Sequence, residues 1–260
     1  MNLAERIWRE IRAEAEAAGQ EEPILASYYH AAILNHATFE AAISFQLANK
    51  LASPSVPAMV IREVFEDAMS SDGSIVDAMY RDMQAYKDRD PACDKYTMPF
   101  LYFKGFHALQ SYRIGHWLWA KQRYGLALYL QNQISQTFGV DIHPGARIGS
   151  GIMIDHATGV VVGETAVVDD DVSMLHAVTL GGSGCQGGDR HPKIRRGVLI
   201  SAGAKILGNI EIGEGAKIAA GSVVLDPVPP HTTVAGVPAK VVGKPQVASP
   251  ALDMDQQLNG

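Results

Sequence analysis

The chain has 260 residues, 47% hydrophobic and 19% charged, and its 22 Lys and Arg against 28 Asp and Glu give a formal net charge of -6. That composition belongs to a folded globular protein and excludes wholesale disorder. The acidic balance argues against nucleic acid, which selects a basic face, and no uncharged apolar run reaches membrane-spanning length.

The N-terminal stretch, Met1 to Gln20, carries charges every few residues and lacks the continuous apolar core of a signal peptide. Leu3–Ala17 reads as a helix with Leu3, Ile7 and Ile11 on one stripe. An Ala-rich helical run covers Ile24–Leu51, and Pro54 and Pro57 break the chain after it. Val60–Met69 and Ile75–Tyr86 read as two further helices, separated by Ser70-Ser71-Asp72-Gly73. A short irregular piece follows Asp90-Pro91, and Phe103–Phe138 supplies one or two long helices with Trp117, Trp119, Tyr124 and Tyr129. These aromatics are expected in core and subunit packing. Cys93 and Cys185 lie too far apart in sequence for a disulfide framework or metal quartet, which suits a reducing, cytoplasmic setting.

From Ile142 the period changes to six. Aliphatic residues recur at Ile142, Ile148 and Ile154, then at Val162, Val168, Met174 and Leu180, then at Ile194, Ile200, Ile206, Ile212, Ile218 and Val224. Small or β-branched residues follow most of them by four, as in Ala146, Val178, Ala204 and Ala216. Of 25 glycines, 19 fall between Gly139 and Gly243. A six-residue period gives one short strand and one corner per repeat, and three repeats close a triangular coil. The expected fold is α+β: an N-terminal all-helical domain at 1–139, a left-handed parallel β-helix at 140–243, and a flexible tail at 244–260.

Two interruptions break the period, and a solenoid tolerates extra residues only where they loop outward. One follows Ile154 and contains Asp155, His156 and Gly159; the other lies between Leu180 and Ile194 and contains Arg190 and His191. A histidine can take a proton from an alcohol near neutral pH, and a carboxylate on its second nitrogen fixes the tautomer. Asp141 lies fifteen residues before His156, close to one coil of eighteen, so the two can stack on adjacent coils. Arg190 offers a planar fork for a carboxylate or phosphate. Asp90 precedes Pro91 and can equally be a turn residue. Asp169-Asp170-Asp171 lacks calcium-loop spacing and reads as a solvated corner, while His107, His116, His143, His176 and His231 show no ligand spacing, so no metal is expected. Gly181-Gly182-Ser183-Gly184 lacks both nucleotide-loop patterns and reads as turns.

Further runs carry a family likeness. They are Asp90-Pro91-Ala92-Cys93-Asp94-Lys95-Tyr96, Lys104–Gln110, Tyr112–Trp119, Val140–Pro144, Asp155–Gly159, Gly187–Lys193 and Ala235–Ala239. With the hexads they make the chain resemble bacterial serine O-acetyltransferases of the hexapeptide-repeat acyltransferase superfamily. The resemblance implies acetyl transfer from acetyl-CoA to the L-serine hydroxyl, the opening step of cysteine biosynthesis. His156 matches the family's base and Asp141 its carboxylate partner. Asp90 and Asp155 match residues that hold the serine amino or hydroxyl end, and Arg190 and His191 those around its carboxylate. Ala202, Gly203, Lys217 and Ala220 match the cofactor groove. The resemblance also implies a hexamer built as a dimer of trimers, inhibition by L-cysteine, and a complex with O-acetylserine sulfhydrylase. The Leu258-Asn259-Gly260 end departs from the terminal isoleucine on which that complex rests. Cys185 matches no family role. A homoserine or sugar acyltransferase and a non-catalytic scaffold are the alternatives the repeats alone leave open.

Overall fold

A computed structural model describes residues 2–184 and 187–258. Met1, Cys185, Gln186, Asn259 and Gly260 lie outside the described residues. The helical half comprises α1 (Leu3–Glu21), α2 (Ala26–Tyr29), α3 (Phe39–Leu51), α4 (Ala58–Ser71), α5 (Gly73–Arg89), α6 (Thr97–Leu101), α7 (Lys104–Ala120) and α8 (Tyr124–Phe138). A capping box opens α1: the Asn2 side chain accepts from Glu5 N–H at 2.8 Å, and the Glu5 carboxylate accepts from Asn2 N–H at 3.2 Å. The helix runs on past Ala17 to Glu21, two residues short of Pro23.

The continuous run expected over Ile24–Leu51 is instead broken at Asn35–Thr38. Thr38 caps α3 by accepting from Ala41 N–H at 3.2 Å. Phe103–Phe138 forms two helices, separated at Lys121–Arg123, where Gln122 turns to φ +59°. The piece expected to be irregular contains α6, whose first N–H groups find their acceptor far away in sequence. The Glu14 carboxylate in α1 receives Tyr96 N–H at 3.2 Å and Thr97 N–H at 2.8 Å. Gly139, at φ +67°, ends α8 and starts the coil.

The coil strands are β1 (Val140–Ile142), β2 (Arg147–Ile148), β3 (Met153–Ile154), β4 (Val160–Val162), β5 (Val167–Val168), β6 (Ser173–Met174) and β7 (Thr179–Gly181). They continue as β8 (Lys193–Ile194), β9 (Leu199–Ile200), β10 (Lys205–Leu207), β11 (Glu211–Ile212), β12 (Lys217–Ile218), β13 (Val223–Val224), β14 (Thr233–Gly236) and β15 (Ala239–Gly243). Up to β13 every third strand stacks in parallel, and β14 then stacks on β12, giving three faces: β1-β4-β7-β10-β13, β2-β5-β8-β11, and β3-β6-β9-β12-β14, the last closed by antiparallel β15. This is the left-handed parallel β-helix that the hexads predict. Ile154, Val162, Val168, Met174, Leu180, Ile194, Ile200, Ile206, Ile212 and Ile218 point inward and are fully buried or nearly so. The solenoid runs further than the hexads, which stop at Val224. Val228 bridges to Ile212 and Val234 pairs with Ile218, across a stretch whose period Pro227, Pro229 and Pro230 disguise.

The tail expected to be flexible lies, over 244–258, back along the third face. A one-turn helix α9 (Pro250–Asp253) buries Ala251, whose carbonyl accepts from Ser173 Oγ at 2.8 Å.

Helix α5 joins the two halves, and the Asp169–Asp171 corner is part of that joint. Asp170 pairs with Arg81 at 3.3 Å, and Asp171 pairs with Arg81 at 3.3 Å, Arg89 at 3.6 Å and Arg196 at 2.7 Å. The corner is therefore an anchor for α5, not the solvated corner expected. Deeper in, the fully buried Asp82 binds Arg113 of α7 at 2.6 Å and accepts from Ile152 N–H at 2.9 Å. Arg113 also donates to Gly149 O at 2.7 Å. Burial pushes the Asp82 carboxyl above the usual range, and Arg113 is the leading group pulling it back. Arg113→Met would leave that carboxyl buried without its cation. The expected loss is about 3–5 kcal/mol of stability, measured by urea unfolding.

Candidate active site

Stacking sets the site. In a β-helix each corner sits directly over the same corner of the next coil, about 4.8 Å away. The corner between the third and first faces carries Asp155-His156 on the first coil, Leu175-His176 on the second, Ser201-Ala202 on the third and Ala219-Ala220 on the fourth. Its rungs are hydrogen bonds: Asp155 N–H to Met174 O at 2.8 Å, Leu175 N–H to Ile200 O at 3.0 Å, and Ser201 N–H to Ile218 O at 2.9 Å. Gly203 N–H to His176 O and Gly221 N–H to Ala202 O continue the column at 2.9 and 2.8 Å.

The corner needs left-handed backbone. Gly203 and Gly221 supply it at φ +72° and +68°. On the first coil non-glycine residues take that conformation: His156 at φ +55° and Ala157 at φ +60°. Each such residue costs about 1–3 kcal/mol, and persists only where its surroundings hold it.

The His156 side chain is 73% exposed, with Nε2 3.6 Å from Asp155 Oδ2. Its ring meets that of His176 edge-on, with centroids 5.9 Å apart. His176 carries no ligand spacing in the sequence; only the one-coil offset brings it to the site. The Asp141 carboxylate accepts from Gln131 Nε2 at 2.7 Å, and among the described residues it is Asp155 that stands in ion-pair range of His156. Asp90 caps α5 and folds into a turn, accepting from Ala92 N–H at 2.9 Å.

Of the groove residues, Ala202, Gly203 and Ala220 share the His156 column. Next to Ala202 on the same corner is Ser201, whose hydroxyl is buried with no hydrogen-bond partner among the described residues. A narrow column of small side chains fits an extended acyl-carrying arm. Lys217 stands on the third face, nearly fully buried, and donates to Asp255 Oδ2 at 3.4 Å and Gln257 O at 2.6 Å of the tail.

Arg190 and His191 lie at a different corner, on the far side of β4, on the order of 10 Å along that strand. Arg190 Nη2 donates to Glu164 Oε2 at 2.7 Å, and Thr165 Oγ1 accepts from Arg190 N–H at 3.0 Å. The His191 ring sits on Gly163, where a Cβ would come within 2.1 Å of it. Its Nδ1 accepts from Thr165 N–H at 3.1 Å. Burial first, then the Arg190 charge, holds the His191 pKa below its ordinary value. The single chain thus brings His156, Asp155 and the small-residue column together and keeps Arg190 and His191 apart from them. Among the described residues no cluster of His, Cys, Asp and Glu could hold a metal, and no helix is long and apolar enough to cross a membrane.

A stacked-hexad coil with a corner histidine heading a column of small residues defines a hexapeptide-repeat transferase. Residues 191–226 match the family "Bacterial transferase hexapeptide (six repeats)", and residues 7–111 match "Serine acetyltransferase, N-terminal". A serine acetyltransferase of Salmonella typhimurium is 64% identical over 256 residues, covering 98% of this chain and 94% of the relative. The crystal structure of the Vibrio cholerae serine acetyltransferase is 61% identical with a TM-score of 0.98, covering 99% of this chain and 100% of that one. The chain belongs to the serine acetyltransferase family. Similar solved members include complexes with cysteine (57% identity, TM-score 0.95), with Coenzyme A from Brucella abortus (53%, 0.91) and with serine from Neisseria gonorrhoeae (53%, 0.88), covering 97%, 92% and 90% of this chain and 98%, 96% and 96% of theirs.

The lowered His191 pKa has a sign. A histidine whose pKa falls on folding favours the neutral ring, so its contribution to stability is present above the unfolded value near 6.5 and is lost as pH falls through the folded one. NMR titration of the His191 ring is expected to give a midpoint below 6.5, moving up in Arg190→Gln.

Proposed function

We propose that this chain transfers the acetyl group of acetyl-CoA to the hydroxyl of L-serine, giving O-acetyl-L-serine and CoA. The observation that carries the reading is the column from His156 to Ala220. It spans three rungs of about 4.8 Å, a length suited to an extended pantetheine arm with its thioester beside the histidine. The serine and Coenzyme A complexes of close relatives support both substrates. Residues 1–139 serve as the assembly part and 140–243 as the catalytic part, working in the cytoplasm.

In this reading His156 accepts the serine hydroxyl proton as the oxygen attacks the thioester carbonyl. The tetrahedral oxyanion collapses, the C–S bond breaks, and the imidazolium returns its proton to the CoA thiolate. Asp155, with Oδ2 3.6 Å from the ring Nε2, faces the hydroxyl end of serine, and Asp141 is the carboxylate paired with His156. Asp90 receives the serine ammonium, while Arg190 and His191 receive its carboxylate. Direct transfer requires both substrates in one groove. The separation of Arg190 from His156 within one chain, and the exposure of His156, support a site closed by the Arg190 loop of a neighbouring copy. That arrangement fits a trimer, and a hexamer when two trimers meet through their helical halves. L-Cysteine differs from serine by one atom, and a relative binds it, so it competes for the serine pocket. Ala202, Gly203 and Ala220 flank the pantetheine, and Lys217 meets a CoA phosphate once Asp255 and Gln257 release it.

A steady-state acetyl-CoA assay tests this. L-Serine is expected to release CoA fastest, with L-cysteine raising the serine KM. His156→Ala is expected to lose on the order of 10²–10⁴ in kcat with unchanged assembly mass. A preference for homoserine or a sugar reassigns the acceptor, and full turnover in His156→Ala removes the base.

A further inference from the structure

We propose that Tyr86 is a positioning residue for the catalytic turn, completing a strand edge whose next residues are Asp155 and His156. The inference rests on the reading of His156 as the base.

Strand β3 is the terminal strand of the third face. Its residues alternate in the direction of their backbone groups. Met153 and Asp155 donate toward the next coil, to Val172 O at 3.1 Å and Met174 O at 2.8 Å. The N–H and C=O of Ile154 point the other way, where the coil has no further strand. A buried edge left so would carry unsatisfied polar groups. The Tyr86 hydroxyl takes the place of the absent strand: it donates to Ile154 O at 2.9 Å and accepts from Ile154 N–H at 3.1 Å. Asp82 does the same for Ile152 N–H. Four residues of α5, a rise of about 6 Å, separate Asp82 from Tyr86, close to the roughly 6.6 Å between alternate residues of a strand. The helix is therefore in register with the edge it covers.

What Tyr86 holds is the base of a strained turn. Ile154 lies two residues before His156, which begins the left-handed pair with Ala157. Helix α7 closes the turn from the other side. At Gly105 a Cβ would lie 2.0 Å from Ile154 O and 3.1 Å from the Ala157 Cβ, so only glycine lets that helix approach. Lys104 Nζ donates to Thr158 Oγ1 on the exposed side. Tyr86 and Lys104 are thus the inner and outer holds on one turn, and neither reaches the reacting atoms by this geometry. Removing the Tyr86 hydroxyl orphans both backbone groups of Ile154 and lets the turn relax, carrying the imidazole off its line to the hydroxyl. Misplacement of about 1 Å can cost on the order of 100-fold in rate.

Tyr112 provides a matched control. It too is buried, and it too docks a helix on the coil, through its hydroxyl to Ala146 O at 2.5 Å, but at a corner away from His156. In the full-length protein, assayed well below the melting temperature, Tyr86→Phe is expected to lower kcat about 10-fold or more with the acetyl-CoA KM within about two-fold. Tyr112→Phe is expected to lower Tm comparably and leave kcat within about two-fold. Should Tyr86→Phe not fold, Lys104→Met decides: a several-fold kcat loss at unchanged Tm supports the two-sided hold, and unchanged kcat overturns it. His156→Asn reports on the base alone, and retained turnover there overturns the base and this inference with it. With His156→Asn inactive, equal kcat in Tyr86→Phe and Tyr112→Phe overturns the positioning role and leaves the base standing.

Discussion

The backbone hydrogen bond from one coil to the next is the constraint on which everything else depends. Each coil corner donates to the corner above it, so a side chain's neighbours across the fold are set by its place in the hexad. This turns a one-dimensional pattern into columns. His156, His176, Ala202 and Ala220 are far apart in sequence and adjacent because of it. The same rule places Arg190 and His191 at another corner, held by Glu164 and Thr165. A single chain therefore presents two separate clusters, each held by its own hydrogen bonds, with a strand between them.

The helical half solves the problem that a solenoid creates at its open end. The first coil has no predecessor, and its exposed edge would template further pairing. Helix α5 covers that edge with polar groups spaced to match it, Asp82 and Tyr86, and its basic residues Arg81 and Arg89 fasten to the Asp170–Asp171 corner. Helix α7 adds Arg113 and Tyr112. The cap and the candidate catalytic turn are thus the same piece of structure, and the left-handed backbone at His156 can persist because three elements meet around it.

Much of this was legible in the residues. The hexads declared the coil, because inward aliphatic residues every six positions have no other economical fold. The two breaks in period pointed to His156 and to Arg190, because extra residues in a solenoid must loop outward. What stayed hidden depended on partners remote in sequence. Helix α6 was unreadable because its cap comes from Glu14. The Asp169–Asp171 corner read as solvated because the arginines that neutralise it lie in α5 and in the next coil. His176 had no motif, only an offset of one coil. The last turns of the solenoid escaped because three prolines blur the count around Val228. The tail's hold on Lys217, through Asp255 and Gln257, has no periodic signature at all.

The column also acts as a graduated scale. Its length can change only by whole coils, so the distance from the histidine to any feature farther along comes in increments of about 4.8 Å. A chain of this design cannot adjust that distance continuously. It can accommodate a donor of another length only by adding or deleting eighteen residues at once, or by bending the loops at the rim.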